Sequence, residues 1–381
     1  MAILDLTRRT RSTALALFAA LAYPTLLAAL ACLTLLAALA GPTLLAALAW
    51  PLSAQPLSAH AETAIHFTLD RSIDGPAAPF FLAIDKGYFK AEGLDVTIDA
   101  ANGGPLEAIN RLATGNYDMG VADINLLIKF RDSNPGTPIK ALFVVFDKPP
   151  YAVIARKSRG IIAPKDLEGK KLGAPSADAA FAQWPIFAKV NGIDAAKVII
   201  ENVGLPVREP MLAAGEVDAI TGCAFTSYVD LKDRGVPPDD LVVLLMADHG
   251  VALYGDAIMV APNFAAERPE AAQGFLRAYV KALKDTVRDP ARAIEAVLRR
   301  KDAAKKDVEL ERLRMAIRDN IVTPAVKANG YGGIDPERFA EAIDQIALTY
   351  HFKAKDQAAE VFDPSFLPAA AERRVNETAS R

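Results

Sequence analysis

Four aspartates, Asp74, Asp123, Asp178 and Asp248, outnumber the arginines Arg71 and Arg208 on loops that run from a strand toward a helix. Carboxylates in excess over guanidiniums suit a ligand with both an amine and an acid, or a heterocycle with hydrogen-bond donors. An inorganic anion requires the opposite balance. Ser72, Asn102 and Ser176 add neutral polar groups on loops of the same kind. Gly103 and Gly104 permit close backbone approach, and the N–H groups of the helix after them point at whatever is bound. With Ser176 opposite, two facing helix N-termini make a place for a small anion or polar group. Plain N-capping and turn chemistry explains the same residues equally well. Phe80 and Phe225 are candidates to stack on a ring, together with Phe81, Trp184, Tyr228 and Tyr254. The helical spacing of Phe81 and the mid-helix place of Trp184 fit a core role too. His249, beside Gly250, stands in a tight loop, and Cys223 follows a predicted strand.

These groups do not form a local catalytic signature. There is no Gly-x-Ser-x-Gly, no His-Glu-x-x-His, no P-loop and no Gly-x-Gly-x-x-Gly. The four histidines, His60, His66, His249 and His351, are scattered, and outside the N-terminal segment Cys223 is the one cysteine. That excludes a thiolate metal cluster and an intramolecular disulfide there. A scattered triad would leave no local pattern, so the absence is informative rather than decisive. The expectation is a binding protein without cofactor or metal, not an enzyme. A net charge of −3 over 381 residues argues against a nucleic-acid surface.

The elements that must position these loops alternate strand and helix, which means a parallel-rich α/β sheet. Residues 65–69 read as a first strand. From Ala77 to Asp99 the chain reads as a short helix with Phe81, Ile84 and Tyr88 on one face, two glycine stops at Gly87 and Gly93, and a strand. Within this stretch, Lys86-Gly87-Tyr88-Phe89 followed by Glu92-Gly93-Leu94-Asp95-Val96 resembles the signature of one group of solute-binding proteins of ABC importers. That group includes nitrate, sulfonate and taurine binders and the thiamine-pyrimidine-precursor binders, and the resemblance covers roughly residues 64–350.

The resemblance implies a bilobal type II periplasmic binding fold that closes on its ligand. It also implies a small-molecule solute, an ABC permease in the inner membrane as partner, and a monomer. Thiamine-precursor synthases of the same broad family carry a cysteine-rich run that this chain lacks, which counts against an enzyme.

Internal evidence agrees with two lobes. Leu112-Ala113-Thr114-Gly115-Asn116-Tyr117-Asp118 recurs 100 positions later as Leu212-Ala213-Ala214-Gly215-Glu216-Val217-Asp218. Residues 62–152 and 258–381 are expected to form one lobe and 157–253 an inserted second. Hinge strands are expected near 153–157 and 254–258, with the ligand beyond the carboxyl ends of the strands. From Arg268 on the pattern is helical, with Phe275, Tyr279 and Leu283 on one face, and the tail from Ala369 is expected to fray.

The N-terminus reads as an address. Arg8, Arg9 and Arg11 precede a segment free of charge from Ser12 to Ala59, and Leu57-Ser58-Ala59-His60-Ala61 ends in an Ala-x-Ala cleavage site. Thr-Leu-Leu-Ala-Ala-Leu-Ala occurs three times with a nine-residue period, a duplication that lengthens the apolar run beyond an ordinary signal. Residues 1–61 are therefore expected to be a cleaved signal peptide that sends the protein to the periplasm, with an uncleaved membrane anchor as the alternative.

Overall fold

The computed structural model describes residues 62–101, 103–176, 178–353 and 360–375. The signal-peptide reading of residues 1–61 lies outside them.

Two five-stranded sheets organise the chain. The first is built from β1 (Thr63–Thr68), β2 (Leu94–Asp99), β3 (Met119–Asp123), β4 (Lys140–Val144) and β10 (Asp256–Val260), in the order β2-β1-β3-β10-β4. The second is built from β5 (Tyr151–Arg156), β6 (Lys171–Gly173), β7 (Ile199–Glu201), β8 (Ala219–Cys223) and β9 (Leu241–Leu245), in the order β7-β6-β8-β5-β9. The orders correspond strand for strand. In each sheet the fourth strand, β10 or β5, is antiparallel to both its neighbours. The other pairings are parallel, as the strand–helix alternation predicts.

The sequence repeat falls on equivalent backbone. Helix α1 (Ala78–Asp85) and helix α2 (Tyr88–Ala91) come first; helix α3 (Pro105–Ala113) then leads through Gly115, at φ 72°, into β3. After α4 (Ile124–Ser133), helix α5 (Arg208–Ala214) leads through Gly215, at φ 78°, into β8. A glycine is required at both reversals because a side chain rarely adopts positive φ. Asp118 accepts from the His66 N–H at 2.8 Å and Asp218 from the Lys171 N–H at 3.0 Å, so the repeated aspartates pin equivalent neighbouring strands.

One expectation about the crossings needs correction. Residues 153–156 are not a bend between lobes. Val153 pairs with Thr221 on one side and Leu244 on the other, inside the second sheet. Tyr151 and Ala152, expected in the first lobe, belong to the same strand, and Ile258 lies within the first sheet. The connections between sheets are 145–150 and 246–255. A run such as Tyr-Ala-Val-Ile-Ala looks alike whether it crosses or pairs, because apolar β-branched residues suit both. The two connections touch where the Gly255 N–H donates to the Phe146 carbonyl at 2.9 Å, and the first is also tied to the start of the helix after β8, where the Ala224 N–H donates to the Pro150 carbonyl at 2.8 Å.

Helices α6 (Ala224–Asp233), α7 (Pro269–Arg288), α8 (Lys306–Ala316) and α9 (Pro336–Ile346) complete the frame used below. Phe275, Tyr279 and Leu283 of α7 are fully buried, and α7 packs on α1. The Lys86–Val96 signature serves this packing. Lys86 and the Tyr88 hydroxyl both reach Asp285 of α7 at 2.6 Å, and Glu92 pairs with Arg277 at 2.7 Å. The tail does not fray at Ala369. Residues Ala370–Arg373 form a helical turn, and the Tyr331 N–H donates to the Arg373 carbonyl at 2.9 Å.

Candidate functional site

The polar junction between the sheets is built on the first residues after β1. Asp70 and Arg71 follow that strand, and the Arg71 guanidinium holds Asp70 at 2.9 and 3.0 Å and also bonds Asp256 at the start of β10. The same guanidinium lies 5.7 Å from the ring centre of Phe146. Asp256 stands opposite Asp123 across the β10–β3 pair, so both carboxyls leave the same face of the sheet. Asp123 caps α4 by accepting from the Leu126 N–H at 2.8 Å, and Asn125 joins it to the Tyr254 carbonyl. Asp74, three residues beyond Arg71, is buried with one carboxyl oxygen lacking any hydrogen-bond partner.

The second lobe meets this wall with Cys223 and Tyr151, which are opposite each other on β8 and β5. The Cys223 thiol lies within electrostatic reach of Arg71 and Asp74. Tyr151 is buried with an unpartnered hydroxyl, and Gln183 with an unpartnered side-chain carbonyl. Tyr350, after α9, lies beside Gln183 and within reach of Asp123, which closes the junction from a third side. A cavity of about 20 Å³ remains, bounded by Asp70, Arg71, Asp74, Phe80, Phe146 and Asp256. That is room for about one water. A larger open groove of about 720 Å³ lies between α6 and α8, but it is rimmed by side chains such as Lys232 and Glu311 that pair with each other.

The electrostatics follow from three carboxyls, Asp70, Asp74 and Asp256, around one guanidinium, with Asp123 beside Asp256. Burial pushes Asp74 up to about 6, opposed by Arg71 and reinforced by Glu309 and Asp70. Burial also pushes Asp123 up to about 6, although the Leu126 N–H favours its charge. Asp256 is raised well above the usual carboxylate range, by burial first and then by Asp70. Burial opposes the charge of Arg71, but Asp70 and Asp256 outweigh it and hold the guanidinium ionised. Burial pushes the Cys223 thiol up to about 11, which makes it a poor nucleophile at neutral pH.

The structure brings together Asp74, Asp123 and Cys223 from the sequence-predicted set, with Phe80 and Phe225 behind them. Phe80 is 3% exposed and packs between Phe67 and Tyr279, with centroids at 5.0 and 4.5 Å. Its ring is core, with one edge on the small cavity. Phe225 is fully buried and meets Phe146 edge-on at 6.1 Å. Arg208 and Asp178 form a separate buried network. Arg208 bonds Glu209 at 2.7 Å and lies 3.4 Å from Asp178, while Thr221 bonds Asp178 at 2.7 Å. Both charges are already matched within the second lobe.

Gly103 and Gly104 precede α3, and Glu107 accepts from the Gly103 N–H. Asn102 lies outside the described residues. Ser72 and Ser176 are exposed. Asp248 is exposed and paired with Lys148 at 2.5 Å, and His249 packs edge-on against Phe187. Sequence reasoning missed Asp70, Phe146, Tyr151, Gln183 and Tyr350, and used Asp256 only as a crossing point. The 100-residue repeat carried a usable signal: it maps Asp123 onto Cys223, the two residues that end β3 and β8.

Paired α/β sheets of matching order, with a polar junction at the ends of their strands, define a periplasmic-binding-protein type of scaffold. The periplasmic aliphatic sulphonate binding protein SsuA from Escherichia coli has this fold: it superposes with a TM-score of 0.61 at 14% identity, over 76% of this chain and 92% of that one. The periplasmic nitrate-binding protein NrtA from Synechocystis PCC 6803 superposes with a TM-score of 0.56 at 11% identity, over 80% and 87%. Residues 76–293 match the family described as NMT1/THI5 like, and the chain belongs to that family.

Among its relatives, the riboflavin-binding protein RibY of Chloroflexus aurantiacus is 26% identical over 58% of this chain and 62% of its own length. The 4-amino-5-hydroxymethyl-2-methylpyrimidine phosphate synthase of Aspergillus parasiticus is 30% identical over 57% and 65%. In both cases the match spans less than two thirds of the relative. The formylaminopyrimidine-binding protein of Halalkalibacterium halodurans is 26% identical over 69% of this chain and 78% of its own length. Among the described residues, no cluster of His, Cys, Asp and Glu is arranged to hold a metal, and no helix is long and apolar enough to cross a membrane.

Proposed function

We propose that this protein is the solute-binding component of an ABC importer and captures a small polar organic solute between its two lobes. One observation carries the reading. Buried polar atoms without partners occur on Asp74 of one lobe and on Tyr151, opposite Cys223, and Gln183, beside Tyr350, of the other, which supports a site between them. A buried polar atom left unpaired costs about 1–3 kcal/mol, so a site that concentrates several is shaped for something that pairs them. A bound solute that touches both walls favours the closed arrangement by its differential affinity, and a permease reads that state.

A pyrimidine-like solute fits better than a sulfonate or taurine. The guanidiniums a sulfonate would need, Arg71 and Arg208, are held by Asp70, Asp256 and Glu209. The relatives named for riboflavin and formylaminopyrimidine point to ring ligands as well. The protein acts as a monomer in the periplasm, delivered there by residues 1–61 as a cleaved signal, with a membrane-tethered form as the alternative. An enzyme on the same scaffold is the second reading, favoured by the synthase relative. The raised thiol of Cys223 speaks against covalent catalysis there.

A thermal-shift panel on protein refolded to strip carried-over ligand tests the proposal. It holds hydroxymethylpyrimidine, formylaminopyrimidine, taurine, an alkane sulfonate and nitrate. Stabilisation by a pyrimidine, unchanged on recovery, supports the binder. Stabilisation by the sulfonates alone overturns the ligand class, and chemical conversion of the added pyrimidine overturns the binder.

A further inference from the structure

The lobe junction gathers carboxyl groups around one guanidinium. Arg71 engages Asp70 and Asp256 directly and has Asp74 within electrostatic reach. Asp123 has backbone and Asn125 donors. Asp74 is the member left over: it is 8% exposed, one of its oxygens has no partner, and the Cys223 side chain faces it from the second lobe. Tyr151, beside Cys223 on the adjacent strand, and Gln183 add two further unpartnered oxygens from that lobe, independent of the carboxylate cluster.

Resting on the solute-binding reading, we propose that the junction takes a ligand bearing a positively charged ring or amine nitrogen, which donates to Asp74 and is completed by Tyr151 and Gln183 from the facing lobe. The cation supplies a donor to the Asp74 oxygen that has none. Ligand uptake is then linked to protons, because the same oxygen cannot hold a proton and accept from the ligand.

The groups that face Asp74 fix the sign of the linkage. Asp70 and Arg71 face it from its own loop, Glu309 and Arg312 from α8, and Cys223 from β8; Asp123 and Asp256 complete the sheet wall. Glu309 is paired with Arg312 at 2.9 Å and Lys301 at 3.2 Å and accepts from the Gly75 N–H at 2.8 Å. With Asp74 raised to about 6, a ligand that needs its ionised form binds about tenfold more weakly at pH 5 than at pH 7.5.

The experiment is a calorimetric titration of the stripped, full-length protein with three probes of matched shape: 4-aminopyridine, a ring cation at neutral pH, isonicotinamide, which is neutral, and isonicotinate, an anion. The proposal expects 4-aminopyridine to bind at least tenfold more tightly than the other two at pH 7.5. It expects that preference to weaken about tenfold at pH 5 and to vanish in Asp74→Asn, whose fold is checked by its unfolding midpoint. Equal binding of the three, preference for isonicotinate, no binding of the cation, or a preference that survives Asp74→Asn overturns the charge assignment. Hydroxymethylpyrimidine titrated alongside separates the two claims. If it binds with no dependence on pH or on Asp74, the solute-binding reading stands and the cation site falls. If no solute binds and none is carried by the unrefolded protein, the solute-binding reading falls.

Discussion

Asp74 and Arg208 show how differently two buried charges behave on this scaffold. Asp74 is raised from 3.8 to about 6, chiefly by burial, so the folded state binds a proton that the unfolded state has released. Its contribution favours folding at low pH and is lost as pH rises through about 6. Asp74→Asn is therefore expected to stabilise the ligand-free protein at pH 7.5 by roughly 1–3 kcal/mol and to flatten the stability profile between about pH 4 and 6. Urea titrations across that range read the change directly. Arg208 is the opposite case, because its partners are already present. Arg208→Leu leaves Glu209 and Asp178 buried without their cation and is expected to cost about 3–5 kcal/mol in the same assay. Loop position in the sequence identified both residues but could not distinguish them. The difference lies in partners such as Ser227 and Thr221, which only the packed second lobe brings near.

At the scale of elements, the two connections between sheets pack against each other. Gly255 sits where they touch: a Cβ there would meet the Phe146 Cβ and the Pro149 Cα, each at 2.9 Å. Gly255→Ala forces backbone apart and is expected to lower stability by about 1–3 kcal/mol, read as a fall in the urea midpoint. Helices α6 and α8 meet across the lobes through three ion pairs: Asp230–Arg312 at 2.5 Å, Lys232–Glu311 at 2.6 Å and Asp233–Lys305 at 3.0 Å. Arg312 also holds Glu309, which accepts from the Gly75 N–H next to Asp74, so these ion pairs connect to the loop that carries Asp74. Partly exposed pairs contribute about 0.2–1 kcal/mol each. Lys232→Gln with Asp233→Asn is expected to leave stability nearly unchanged while enlarging the ligand-free radius of gyration in small-angle scattering, as the lobes open. The helix–glycine–strand repeat was legible because it is local backbone chemistry. The partner of β3 was not, since β10 arrives more than 100 residues later and antiparallel, and no local pattern announces such a pairing.

For the whole molecule, the sequence rules of α/β chains were enough to expect two parallel-rich sheets and an inserted lobe. They placed the strand-to-helix loops toward a cleft, and Asp74, Asp123 and Cys223 do meet at the junction. They could not foresee the local partners of Gly103 and Asp248, Glu107 and Lys148, because such pairings depend on how the side chains of the folded elements are set against each other. The central claim is that the solute lies between Asp74 and Cys223. Its most direct test is calorimetric titration of stripped protein with hydroxymethylpyrimidine, in parallel with taurine, for the wild type and for Cys223→Trp, whose folding is confirmed by circular dichroism. The account predicts one-to-one binding of the pyrimidine, at least tenfold weaker once the indole fills the junction, and no binding of taurine. Binding of taurine instead, or pyrimidine binding indifferent to Cys223→Trp, would contradict it.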